Sequence, residues 1–515
     1  MSSAAIAIGT PKRELSGMEV AAIVLVLSMG NFLAVLDTTI ANVLVPDIAG
    51  SLAVSSSNGT WVTTAYAVAE AIMVPLTGWL AGRFGPVKVF VAGIFGFGIF
   101  SLLCGLATSL GMLIAFRVAL GICGGPLIPI SQTLLLKIVP EKNRVAALAA
   151  WSMGTVLAPV AGPVLGGLIS DHWGWQWAFH FKLPLAFLIG FVAWRVLSQH
   201  EQATEKAKVD YVGLGFLVLW VGALQIMLGN GQDQDWFNSS MIVELLIVTV
   251  IGFLAFVIWE TTDKRPVVAL NVFSNRIFSV TMMVTALAFG AMFGTIVLVP
   301  LWLQTAMGYT ATWAGYNAAL SGVTMVGFAP IATNLMTKIG PRAVACIGLL
   351  ITAVSSTMRV SYNDQITFWQ LMWPQLVFGA GMIMTMIPLM DMSTIALKEK
   401  DIASGAGQFN FIRTLSGAIA TAAVVALWNN LIPSSHANLS AVLHNPQGFM
   451  DMAENAGMGT ETARGVLNQI VNGQSVMQAT NNTFLMLAGL NLLAAAAVWL
   501  APKPPERTGE KPMMH

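Results

Sequence analysis

Residues 20–44 read VAAIVLVLSMGNFLAVLDTTIANVL. The run is long enough to cross about 30 Å of hydrocarbon as a helix, and it contains a carboxylate, Asp37. Insertion scales put an acid at a helix centre roughly 2.5–3.5 kcal/mol uphill. A chain that keeps one there gives it a partner or a task. Comparable runs recur at about 60–82, 87–106, 110–137, 145–170, 177–198, 211–229, 241–260, 277–299, 312–337, 342–358, 369–397, 402–430 and 479–501. They are continuous and lack the ten-residue alternation of barrel strands. The sequence therefore predicts an all-α integral membrane protein with fourteen transmembrane helices.

Composition agrees. The chain is 56% hydrophobic and 10% charged over 515 residues, where soluble domains carry about 25% charge. Its net charge of +1 points to neither nucleic acid nor an acidic partner. Cys104, Cys123 and Cys346 fall inside apolar runs and read as small hydrophobes, not as a disulfide set or metal ligands. The segment MSSAAIAIGTPKRELSG (1–17) has no signal-peptide pattern, so the first helix is expected to start insertion.

Cations test the count. With fourteen spans, twenty of the 25 Lys and Arg fall on one side. Among them are Lys12, Arg13, Arg83, Lys88, Lys137, Arg144, Arg195, Lys206, Lys208, Lys264, Arg265, Lys338, Arg342, Lys400, Lys503, Arg507 and Lys511. The opposite loops hold Arg359 and Arg464, while Arg117, Lys182 and Arg413 lie within spans. The positive-inside rule makes the cation-rich side cytoplasmic, with both termini there. The expected divisions are a cytoplasmic N-terminus at 1–19 and a six-helix bundle at 20–198. A charged linker with two inserted helices follows at 199–276, then a second six-helix bundle at 277–501 and a cytoplasmic tail at 502–515. The second bundle includes a polar external loop at 431–478, either a tolerated insertion or a docking surface.

An internal repeat supports two bundles. GTWVTTAYAVAEAIMVPLTGWLAGRFGPVKVF (59–90) and TATWAGYNAALSGVTMVGFAPIATNLMTKIGPRAV (310–344) align Trp61 with Trp313. Both end in a basic residue, an apolar one and Gly-Pro, at Arg83–Pro86 and Lys338–Pro341. Parallel repeats about an axis along the membrane normal occur in one large transporter class.

Several charges sit inside the spans. Asp37 and Arg117 fall at similar depth. They read either as a permanent pair that fixes packing or as a proton site. Glu70, near mid-span, is a proton or cationic-substrate site, or a hydrogen-bonded neutral acid. Asp391 and Arg413 form a possible second pair. Lys182, near a span end, is expected to snorkel to the interface. Gly154, Ala158, Gly162 and Gly166 recur every four residues, giving a smooth helix face, and Pro159 and Pro163 loosen that helix. Some of the 28 methionines fit an adaptable cavity. Enzyme chemistry finds no support: no His-x-x-x-x-Asp or His-Glu-x-x-His occurs, and no Gly-Lys pair for a P-loop. No cofactor or metal is expected.

Seven motifs in order resemble the fourteen-span drug:proton antiporters of the major facilitator superfamily. They are LDTTIANVLVP (36–46), GWLAGRFGPVKVF (78–90), RVALGICGGPLIP (117–129), APVAGPVLGG (158–167), PVVALNVFSNRIF (266–278), WPQLVFGAG (373–381) and FNFIRTLSGA (409–418). The resemblance implies export of lipophilic drugs or toxic compounds from the bacterial inner membrane by alternating access, conferring antibiotic resistance. A selective exporter of one amphipathic metabolite is the rival on the same fold. The resemblance assigns proton coupling to Asp37, Arg117 and Glu70, and gating to Arg83, Gly85, Lys88, Gly162, Pro163 and Gly166. The glycine face would then seal the halves as they rock. Pumps of this group work with a periplasmic adaptor protein and an outer-membrane channel. The chain departs from the group at Gly82, where an acid is usual. It departs again at Glu70 and Lys182, near common asparagines, and at Asp391, near a common threonine.

Overall fold

The computed structural model describes residues 16–502 except 55, 202–203, 205–209, 264–267, 269, 364, 396, 399–400 and 443–445. Lys12, Arg13, Lys206, Lys208, Lys264, Arg265, Lys400, Lys503, Arg507 and Lys511 lie outside the described residues, as do the side chains of Pro159 and Pro163. The first ten helices are α1 (Gly17–Ser51), α2 (Ser56–Gly59), α3 (Trp61–Met73), α4 (Thr77–Phe84), α5 (Pro86–Gly105), α6 (Leu110–Gly124), α7 (Leu127–Ile138), α8 (Glu141–Trp173), α9 (Trp177–His180) and α10 (Lys182–Leu197). Then come α11 (Tyr211–Asn230), α12 (Ser240–Thr262), α13 (Arg276–Thr305), α14 (Ala311–Ile339), α15 (Pro341–Arg359), α16 (Phe368–Ile395), α17 (Ile402–Val442), α18 (Pro446–Asn455) and α19 (Thr460–Ala497).

Local chemistry sets the boundaries. Ser16 and Glu19 form a capping box at α1, with reciprocal bonds of 3.2 and 2.9 Å. Asp210 caps α11 and Asn275 caps α13. Pro75 has no N–H to give, and the Thr77 hydroxyl donates to Val74 O at 2.6 Å. There the chain bends by 61° between α3 and α4. The two Gly-Pro turns of the sequence repeat take the same form. Gly85 (φ +90°) precedes Pro86 at the start of α5, and Gly340 (φ +85°) precedes Pro341 at the start of α15.

Among the described residues, twelve helices are long and apolar enough to cross a membrane, and the bent pair α3–α4 makes thirteen. The expected fourteenth, α8, is a helix of 33 residues outside that set, with several side chains not described. Packing follows one scheme twice. In the first part of the chain α1 packs on α8, α3 on α6, and α5 on α10. In the last part α13 packs on α17, α14 on α16, and α15 on α19. Contacts α8–α14, α8–α16, α7–α17 and α4–α17 join the two parts. The apolar window of α16 is 89% buried, which places it centrally. That of α12 is 22% buried, so α12 lies at the rim beside α11.

The segment expected as a loop at 431–478 is largely helical. α17 has 41 residues and α19 has 38, lengths of roughly 60 and 57 Å at 1.5 Å per residue, about twice the hydrocarbon thickness. The two helices pack together beyond the apolar spans. Ser435 and Ala463 are buried there, and His436 Nε2 lies 3.2 Å from Asn468 Oδ1. Polar composition stopped the span there without stopping the helix.

Candidate functional site

Asp37 lies on the face of α1 turned toward α6 and α10. Arg117 of α6 donates through Nη1 to Asp37 Oδ2 at 2.6 Å, and Lys182 Nζ donates to Asp37 Oδ1. All three side chains have 0% exposure. Arg117 Nε also donates to Val62 O at 2.8 Å. Its guanidinium lies 4.6 Å from the centroid of the Tyr66 ring, and Lys182 Nζ lies 4.7 Å from that of Phe179. One carboxylate is thus shared by two cations, each resting on an aromatic face.

Lys182 does not snorkel. It is the first residue of the buried stripe Lys182, Ala186, Ile189, Gly190, Ala193 and Leu197 on α10, which is the inward face of that helix. The three-to-four spacing of small residues after Lys182 was the signal that placed it inside. Arg359 also differs from its expected loop position. It is buried at the end of α15 and donates to Ser355 Oγ at 2.7 Å and Gln375 Oε1 at 2.8 Å, between Phe378 and Phe484.

Glu70 is half-buried on α3, one turn beyond Tyr66. Gly121 and Gly125 let α6 approach closely. A Cβ on Gly121 would stand 2.7 Å from Tyr66 O, and one on Gly125 2.8 Å from Met73 Cβ. α3 packs beside α17, and both Arg413 of α17 and Arg117 of α6 act electrostatically on Glu70. Glu70 in turn acts electrostatically on Arg413, for which the sequence offered Asp391 as a possible partner. Asp391 is buried on α16. Nearby, Asn410 Nδ2 of α17 donates to Gln132 Oε1 of α7 at 2.6 Å, a buried amide pair that the sequence reading missed.

The small-residue face of α8 packs against α1. A Cβ on Gly162 would collide with Thr39, and one on Gly154 would stand 2.8 Å from Ser28 O. Gly166 has ordinary spacing to Ile40. The contact from α8 to α14 uses Leu157 and Val164, 3.3 Å from the Cβ positions of Gly322 and Gly315. The glycine face therefore joins α8 to α1 and not to α14, because only α1 comes close enough to need it.

At the α4–α5 turn, Glu201 accepts from Lys88 N at 3.0 Å and Val87 N at 3.4 Å, filling the N-terminus of α5 with negative charge. A side chain on Gly85 would strike that carboxylate. Arg83 lies over Trp79 and Phe84, and Gly82 is exposed.

The sequence profile described as Major Facilitator Superfamily matches residues 27–421. The chain is 39% identical over 503 residues to multidrug export protein EmrB of Escherichia coli strain K12, covering 97% of this chain and 98% of that one. It is 38% identical over 502 residues to fatty acid resistance protein FarB of Neisseria gonorrhoeae, covering 96% and 98%. The crystal structure of the human organic anion transporter MFSD10 superposes with a TM-score of 0.61 at 14% identity, covering 93% of this chain and 99% of that one.

Proposed function

From the premise that the chain belongs to the Major Facilitator Superfamily, we propose that it exports lipophilic or amphipathic compounds from the bacterial inner membrane in exchange for protons. The observation that carries the reading is the charge cluster Asp37–Arg117–Lys182 with Glu70 and Arg413 beside it, inside an apolar bundle. Ionisable groups at such depth are costly and mark ion pathways. One charge crossing 100 mV releases about 2.3 kcal/mol. At about 1.4 kcal/mol per tenfold, that sustains a concentration ratio of roughly fifty.

In this reading there are fourteen spans, with α8 as the fifth. Helices of 20–198 and 277–501 form the two bundles, α11 and α12 are the inserted pair, and both termini are cytoplasmic. The bundles rock about the contacts α8–α14 and α4–α17, and the turn at Arg83, Gly85 and Lys88 belongs to the cytoplasmic gate. The relative FarB bears a fatty-acid name, which favours including amphipathic acids among the substrates.

The paired extensions of α17 and α19 would stand in the periplasm and meet an adaptor protein, which continues into an outer-membrane channel. The test is transport into inverted vesicles under an imposed pH gradient, with a panel of lipophilic cations, neutral drugs and fatty acids. Accumulation that survives collapse of both the pH gradient and the membrane potential refutes proton exchange. For the partner, trimming 436–470 should abolish capture of the adaptor and leave membrane insertion normal. Unchanged capture refutes docking.

A further inference from the structure

Resting on the proton-exchange reading above, we propose that the proton-carrying acid is Glu70, with Arg413 as its conformation-dependent partner. Asp37, held by both Arg117 and Lys182, is then a fixed anion that ties the N-terminal helices together.

The two acids differ in what surrounds them. Both carboxylate oxygens of Asp37 are occupied, one by Arg117 and one by Lys182, and none of the three side chains meets solvent. The three ions come from α1, α6 and α10. Contacts α1–α10, α5–α10 and α5–α6 bind these helices into one packed group. Moving that group as a body changes none of the three distances. An acid drives a conformational cycle only when its two protonation states favour different conformations. A triad internal to one rigid group offers no such difference.

Glu70 is placed otherwise. It is on α3, and its main countercharge is on α17, a helix packed against α13 and α19. The charged groups that act on Glu70 are Arg413 from α17, which packs beside α3, Asp37 from α1 and Arg117 from α6. α11 presents the uncharged Gly222 and Gly229 toward α3, and Tyr66 lies on Glu70's own helix. Of these charges only Arg413 comes from the last part of the chain. Arg413 Nη1 is buried and makes no hydrogen bond among the described residues, so a donor is free for a carboxylate that swings toward it. Parting α3 from α17 removes the one cation that moves. A proton then bonds to a Glu70 carboxylate oxygen. Closing the two helices again brings Arg413 back, and the proton leaves. No other bond is made or broken.

The experiment uses the full-length protein in lipid nanodiscs, followed by infrared difference spectra of the protonated carboxyl stretch during a pH titration. Proton-driven accumulation in vesicles is measured alongside. In the wild type the Glu70 carboxyl should give a titrating band. Glu70→Gln should remove that band and lower proton-driven accumulation to simple equilibration, with downhill movement retained. Arg413→Gln should shift the midpoint by about tenfold in proton concentration or more. Lys182→Met should add a second titrating carboxyl, that of Asp37. A band that persists in Glu70→Gln, or a midpoint unmoved in Arg413→Gln, overturns the assignment. Gradient-driven accumulation that is normal in Glu70→Gln overturns this assignment alone. Absence of gradient dependence in the wild type overturns the exchange reading itself.

Discussion

Replacing Asp37 by asparagine leaves Arg117 and Lys182 facing each other across a neutral amide in a pocket without solvent. Removing one partner of a buried ion pair costs about 3–5 kcal/mol, because the remaining charge stays buried and uncompensated. Here one substitution strands two cations. Arg117 keeps Val62 O and the Tyr66 face, whereas Lys182, among the described residues, keeps the rings of Phe179 and Phe181. Lys182→Met alone removes a charge-assisted hydrogen bond worth about 1.5–3 kcal/mol and leaves Asp37 bound to Arg117. In the double variant the lysine that Asp37→Asn would strand no longer exists. The double should therefore be more stable than the sum of the singles by about 2 kcal/mol, within the range measured for residues in contact. The assay is unfolding in mixed micelles followed by tryptophan fluorescence for the four proteins of the cycle. Additivity within about 0.5 kcal/mol refutes a shared carboxylate and, with it, the inward placement of Lys182.

Gly162→Ala should lower stability by about 1–3 kcal/mol through overpacking against Thr39, while Gly167→Ala, with nothing within 4 Å of its Cβ position, should be neutral; equal yields and melting midpoints contradict the α1–α8 seam. Glu201→Ala should cost about 0.5–2 kcal/mol by uncapping α5, read as a lower melting midpoint, and an unchanged midpoint refutes the cap. Gln132→Leu deletes the amide bond to Asn410, worth about 1 kcal/mol. It should shift the balance of conformations several-fold, measured as alkylation of a reporter cysteine near Ser404; no shift means that the bond does not distinguish the conformations.

The spans were legible because hydrocarbon thickness and backbone hydrogen bonding leave a long apolar run one structure to adopt. Asp37 and Arg117 were legible for the same reason: each interrupts such a run. What the sequence withheld was direction. At a span end, a lysine side chain reaches the interface or the core equally well. For Lys182 the choice was made by the stripe from Ala186 to Leu197. For Arg413 the sequence offers more than one acid, and the packing of α3 beside α17 brings Glu70 to bear on it. The four-residue glycine spacing of α8 announced a close neighbour without naming it, and the neighbour is α1. At 431–478 the composition marked where hydrocarbon ends. Helix continuation there goes with the packing of α17 on α19, which buries Ser435 and Ala463.

The charges of the cluster are best read together. Glu70 adds a negative charge to the Asp37–Arg117 pair and Lys182 a positive one. The two do not touch; each acts through Asp37 and Arg117, which lie between them electrostatically. A lysine added alone would leave the Asp37 triad with one net positive charge in an apolar bundle, a state that burial penalises. An acid added alone would set a second carboxylate near Asp37. Together they leave the net charge of the cluster, Arg413 included, where it would stand without either. The lysine commits Asp37 to a fixed pair of bonds, and the glutamate supplies a carboxylate at the boundary with α17, where motion changes its surroundings. On the assignment proposed above, an Asp37 held by two cations leaves Glu70 as the acid whose surroundings change with conformation.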